Sequence, residues 1–139
     1  MTPEQKVLVQ NSFAKVAPIA DTAAMLFYED LFQRNPRLRG LFKDDMTEQR
    51  QKLISMLGTA VANLRQWDRI AAAVQALGQR HVTYGVVPAD YDTVGAALIA
   101  TLEKGLAEDF TPEVRDAWIA CYTAIVAEML GATANGAHA

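Results

Sequence analysis

The chain has 139 residues, 51% of them hydrophobic and 21% charged, with a net charge of −3. That balance excludes intrinsic disorder, and at this length roughly two-thirds of the unfolded surface can be removed from water in one domain. Basic residues do not cluster, so nucleic acid is excluded as a main partner.

The longest uncharged apolar run, AWIACYTAIVA at 117–127, falls short of the ~20 residues of a membrane span. The single cysteine, Cys121, rules out an internal disulfide and suits a reducing compartment. The opening MTPEQKVLVQ has no signal-peptide character, so the expected location is cytoplasmic.

Helix signals run the length of the chain, and the expected class is all-α. Thr2-Pro3-Glu4-Gln5 reads as a capping box with proline at the first helical position. The helix it opens turns Val9, Phe13 and Val16 inward. Pro18 restarts the chain, and Met25, Phe27, Tyr28, Leu31 and Phe32 supply the apolar face of a second helix. Asn35-Pro36 ends that helix and begins a short one through Leu41-Phe42. Asp45 and Glu48 predict a second capping box, ahead of a long helix carrying Leu53, Met56, Leu57, Ala60, Val61 and Leu64. Gln66-Trp67-Asp68 is a tight connection into the next helix.

That next helix holds His81, in ALGQRHVTYGVV; the only other histidine is His138, near the C-terminus. Ile70, Val74, Leu77 and His81 share one apolar stripe. A titratable ring on such a stripe needs a partner. From the pattern alone, the partner could be a core hydrogen bond or a metal. Gly85 stops this helix, and Pro88 opens the next, with Tyr91, Val94, Leu98, Leu102 and Leu106 inward. Thr111-Pro112-Glu113 starts the last helix, whose inner face carries Val114, Trp118, Cys121, Tyr122, Ile125 and Met129. Cys121, Trp118 and Tyr122 read as packing, and so do Met25, Met56 and Met129. The domain is expected over 3–131, with a disordered tail over 132–139.

Asn35-Pro36, Phe42 six residues after the proline, Gln49 and Leu53 on a long helix, and His81 in LGQRHVTYGV together resemble the globin family. The resemblance runs from Gln5 to Met129. It is nearest to bacterial single-domain globins and the heme domain of flavohemoglobins, with neuroglobin-like stretches in LGQRH..YGV and FTPEVRDAW. It implies a globin fold of six to eight helices around non-covalent heme b; no Cys-x-x-Cys-His attachment motif is present.

His81 is then the implied proximal iron ligand, and Phe42 is implied to stack on the porphyrin. Leu53, Leu77, Val86, Val94 and Leu98 are the implied pocket lining. Tyr28 matches the distal tyrosine of bacterial globins, and Gln49 stands where myoglobin-like members carry histidine. Both can donate to a bound gas, and two donors of ~1 kcal/mol each would slow release by about tenfold or more. Tyr91, ten residues after His81, matches the tyrosine that flavohemoglobins place beside the proximal histidine. Their glutamate does not carry over: the matching register falls at Thr133, and Glu128 is out of register.

The implied function is reversible binding of dioxygen, nitric oxide or carbon monoxide with slow oxygen release, extending to nitric oxide detoxification with a separate flavin-dependent reductase. The alternatives are a dedicated nitric oxide dioxygenase served by such a reductase, and a globin-fold gas sensor or interaction module. The sequence leaves the oligomeric state open.

Overall fold

The computed structural model describes residues 1–131 in full and the backbone alone of 132–138; Ala139 lies outside it. The tail expected over 132–139 therefore falls outside the fully described residues. Among the described residues there are six α-helices and no strand. They are α1 (Pro3–Val16), α2 (Ala20–Arg34), α3 (Thr47–Ala62), α4 (Ala71–Thr83), α5 (Pro88–Leu106) and α6 (Pro112–His138). Short 3-10 helices fill most of the connections, at Ala17–Ile19, Pro36–Leu41, Trp67–Arg69 and Ala107–Asp109. No helix among the described residues is long and apolar enough to cross a membrane.

Short-range chemistry sets most of the helix ends. Thr2 Oγ1 accepts from the Gln5 amide at 3.1 Å and Gln5 Oε1 accepts from the Thr2 amide at 3.0 Å, the reciprocal capping expected. Asn35 Oδ1 accepts from the Arg37 amide and Thr111 Oγ1 from the Val114 amide, each at 3.2 Å. The end of α4 is a Schellman closure: the Val86 amide reaches the His81 carbonyl at 2.9 Å and the Gly85 amide the Val82 carbonyl at 3.1 Å. Gly85 takes φ +95°, which only a residue without Cβ adopts at little cost.

The second capping box is not formed. α3 begins at Thr47 with Met46 at its cap, and Asp45 accepts from the Thr47 amide at 2.9 Å instead of from Glu48. Asp45 is thus an Asx turn that ends one residue short of capping. Those bonds to Thr47 hold its exposed carboxyl below the usual range.

α4 packs on α6, α2 on α5, α1 on α6, and α3 on α1 and α2. Val9, Val74, Trp118 and Cys121 are completely buried at the centre. Trp118 Nε1 donates to Ser12 Oγ at 2.8 Å, and the Ser12 hydroxyl donates to the Leu8 carbonyl at 2.7 Å. This chain satisfies two buried polar groups and ties α1 to α6. Gly78 lets α4 approach α6 closely: a Cβ there would lie 2.6 Å from the Met129 carbonyl oxygen.

The buried face of α2 runs through Ala24, Phe27, Tyr28 and Leu31. Met25, expected on that face, is 44% exposed. It follows Ala24 directly, so the 100° step per residue carries it off the stripe.

Candidate functional site

Two groups of side chains meet around α3 and α4. The first begins with Gln49, in the first turn of α3. Its Nε2 donates to Tyr28 Oη on α2 at 3.1 Å. Three phenylalanines surround the Tyr28 ring, with Phe27 and Phe42 edge-on at centroid distances of 4.9 and 5.5 Å and Phe32 tilted at 5.9 Å. Burial raises the Tyr28 phenol above its ordinary 10.0, against a smaller opposing pull from the Gln49 hydrogen bond. Tyr28 is thus a neutral donor at pH 7 whose oxygen already accepts from Gln49. It makes no bond to a backbone carbonyl among the described residues, and Gln49 is turned inward, not to solvent.

Arg39 holds Phe42 in place, a role sequence reasoning missed. Its guanidinium donates to the carbonyls of Phe42, Lys43 and Asp44 at 3.3, 3.0 and 3.0 Å and lies over the Phe32 ring at 5.4 Å. One side chain therefore gathers the loop that ends the Pro36–Leu41 turn. Nothing in the local sequence separates it from a solvated arginine.

The second group is centred on His81 in the last turn of α4. The ring is half-buried, and Nδ1 lies 3.3 Å from Tyr91 Oη on α5. Burial, then the charge of Arg80, lowers the His81 pKa below 6.5, so the imidazole is neutral at pH 7. With Nδ1 facing Tyr91, Nε2 is the nitrogen available to a ligand. The Tyr91 carbonyl in turn accepts from Tyr122 Oη at 2.6 Å. Burial raises the Tyr91 phenol, with the Asp90 charge adding to it, so it too stays protonated.

Glu128 is not part of this group. It accepts from Trp67 Nε1 at 2.9 Å and Gln75 Nε2 at 3.0 Å, which occupies its carboxylate between α6 and the start of α4. Thr133 lies outside the fully described residues.

Phe42, Leu53, Leu77, Val86 and Val94 are half-buried and rest on the core; Tyr91 and Leu98 are buried within it. α3 and α4 are held by their neighbours and share no extensive packing with each other. Phe42, Leu53, Leu77, Val86 and Val94 are thus only half-covered beside two helices that do not pack closely on each other. Among the described residues, no cluster of histidine, cysteine and carboxylates could hold a metal ion by itself. One imidazole with its second nitrogen engaged suits a metal brought by its own ring of ligands.

The frame is an all-helical bundle with a half-buried histidine on α4 and a hydrogen-bonded tyrosine–glutamine pair between α2 and α3. Residues 25–129 match the globin family, and the chain belongs to it. It is 26% identical over 134 residues to a flavohemoprotein of Deinococcus radiodurans, covering 94% of this chain and 33% of that protein. It is 29% identical over 127 residues to a flavohemoprotein of Bacillus subtilis, covering 89% of this chain and 32% of that one. The chain therefore spans about a third of the length of these relatives. A bacterial globin from Campylobacter jejuni shares the fold at a TM-score of 0.87 with 19% identity, covering 99% of this chain and 100% of that one.

Proposed function

We propose that the chain is a heme b globin that binds dioxygen and other diatomic gases, with His81 as the iron ligand. The observation that carries this reading is the His81 ring: neutral, half-buried, its Nδ1 taken up by Tyr91 and its Nε2 left over. The donor set fits heme, because a porphyrin brings its own nitrogen ligands and asks only one from the chain. Heme, when bound, would supply a ferrous iron that holds the gas; with dioxygen held there, nitric oxide would take up both oxygen atoms to give nitrate and leave the iron ferric.

The protein's share is orientation and polarity. Tyr91 Oη fixes the tautomer and plane of His81. Phe42, Leu53, Leu77, Val86, Val94 and Leu98 would line the heme site, exclude water from it and strengthen any hydrogen bond formed there. Tyr28 donates a hydrogen bond to the gas, and Gln49 donates to the phenol oxygen so that the phenol proton points away from the amide. Neutral donors stabilise a negatively polarised gas without protonating it.

The test is reconstitution with heme. The ferrous protein should show a five-coordinate histidine spectrum, and His81→Ala should lose that signature and shed heme. A variant that keeps the wild-type ferrous spectrum without added imidazole would remove His81 from the role. A chain that takes up no heme at all would be an interaction module.

Resemblance to flavohemoproteins favours nitric oxide detoxification as the physiological use, with electrons from a flavin-dependent reductase. With nitric oxide in excess over the oxygenated protein, nitrate should form once per heme and continue only when such a reductase is added. No nitrate from the oxygenated protein would leave storage or sensing.

A further inference from the structure

Asp90 is a carboxylate 3% exposed, on the first turn of α5, immediately before Tyr91. A buried acid at that depth is costly unless it is paired and hydrogen-bonded. Here both conditions hold. Asp90 Oδ2 accepts from the Val87 amide at 3.0 Å, which caps α5. Asp90 Oδ1 accepts from Arg37 Nη2 at 2.6 Å, across 53 residues of sequence. Arg37 belongs to the Pro36–Leu41 turn that leads directly into Phe42.

The segment between His81 and Tyr91 is thus closed by consecutive hydrogen bonds. The His81 carbonyl accepts from the Val86 amide at 2.9 Å, and the next residue, Val87, donates to Asp90. Asp90 is anchored to Arg37, and Tyr91 is held from behind by Tyr122 at 2.6 Å. The 3.3 Å separation of His81 Nδ1 and Tyr91 Oη is the longest and weakest contact in this set. It depends on the register of α5 against α4. Among the described residues, two side-chain bonds tie the start of α5 to elements outside this helix pair: Tyr122 of α6 to the Tyr91 carbonyl, and Arg37 to Asp90, which alone of the two reaches the turn before Phe42.

We infer that Arg37 and Asp90 are positioning residues for the proximal histidine: their ion pair clips the start of α5 to the turn before Phe42 and so holds Tyr91 Oη against His81 Nδ1. The clip couples the aromatic group around Tyr28 to the histidine group through a short covalent path, since Phe42 lies five residues after Arg37. This inference rests on the heme-globin reading, since the hydrogen bond matters chemically only when His81 is a ligand. An acceptor at Nδ1–H makes the imidazole a stronger donor at its other nitrogen. Losing the acceptor should weaken the iron–histidine bond.

Resonance Raman spectra of the heme-reconstituted ferrous protein read that bond directly. Arg37→Met and Asp90→Ala should each shift the iron–histidine stretching band to lower frequency. The shift should have the same sign as for Tyr91→Phe and be smaller. Arg37→Lys, which keeps a cation within reach of Asp90, should return the band toward wild type. Asp90→Asn, which keeps the Val87 cap but loses the charge, should shift it as Arg37→Met does.

Variants that melt earlier but leave the band at the wild-type frequency would show a merely structural ion pair and overturn the inference. If a variant fails to retain heme, amide hydrogen exchange of the heme-free protein replaces the band. Exchange at Val87 and Tyr91 should accelerate in Arg37→Met, and unchanged exchange there would overturn the clip. A wild-type protein with no iron–histidine band would instead sink the heme reading itself, so the two failures are distinguishable.

Discussion

At the scale of single residues, the pair Tyr28–Gln49 makes two donors unequal. Gln49 Nε2 gives one of its two N–H groups to Tyr28 Oη, so in the proposed pocket the phenol is the direct donor and Gln49 its support. Removing the phenol removes the direct donor; removing the amide removes only its support. Tyr28→Phe should therefore speed dioxygen release by about tenfold, the equivalent of ~1.4 kcal/mol. Gln49→Leu should speed it by only a few-fold, on the order of 0.5–1 kcal/mol. The double variant should release dioxygen at nearly the rate of Tyr28→Phe, because the two changes share one hydrogen-bond network. Stopped-flow off-rates that stay at wild type in both single variants would show that neither side chain reaches the gas. Strictly additive effects would show two independent donors.

At the scale of elements, the position of His81 depends on how α4 sits on α6. Gly78, three residues before His81, faces Met129 backbone. An added Cβ would meet the Met129 carbonyl oxygen at 2.6 Å and its Cα and Cβ at 2.8 Å, none of which can swing aside. Alanine gains ~1 kcal/mol over glycine in helix propensity, whereas overpacking costs ~1–3 kcal/mol. The crowding should win, with Gly78→Ala destabilised by about 1–2 kcal/mol in urea unfolding and its heme lost faster as α4 is pushed outward. Gly58 on α3 is the control, because a Cβ there meets only the Phe13 ring at 3.6 Å, an ordinary contact. Gly58→Ala should be neutral or stabilising by up to ~1 kcal/mol. Equal gains at both positions would refute the close helix approach.

At the scale of the whole molecule, the core keeps its thiol and phenols protonated. Burial lifts the Cys121 thiol from 9.0 to about 12, and it raises the phenols of Tyr28 and Tyr122 above 10.0. The sign follows from which state loses its proton first. Below pH 9.0 both the folded and unfolded chains hold the thiol proton, and its contribution to stability is fully present. Above that, the unfolded chain ionises while the folded chain does not, so stability falls as pH rises toward about 12. The tyrosines add to the slope from 10.0 upward. Tm by circular dichroism should be level between roughly pH 7 and 8.5 and decline from about pH 9. In Cys121→Ala the decline should begin later, near the tyrosine range. A Tm that is level to about pH 11 in the wild type would contradict the burial of these groups.

What the sequence determined by itself was chemistry decided within a few residues. Thr2, Asn35 and Thr111 accept from amides two or three positions on, and Gly85 closes α4, because a cap needs only its own turn. The inward stripes of α5 and α6 follow from spacing alone, since the helix repeat places those positions on one side. His81, Tyr91, Tyr28, Gln49 and Phe42 were legible as a set, and the fold brings them into two groups.

Where two local solutions compete, spacing could not choose: Asp45 turned inside its own loop, and Met25 fell just off its stripe. The partners of long side chains were decided only in the tertiary structure. Arg37 meets Asp90, Arg39 wraps the Phe42 loop, and Glu128 is taken by Trp67 and Gln75. Each of these charges has many partners within reach in an unfolded chain. Which one it keeps depends on where helices cross, and that is set by how closely Gly78 and its neighbours allow the cores to pack.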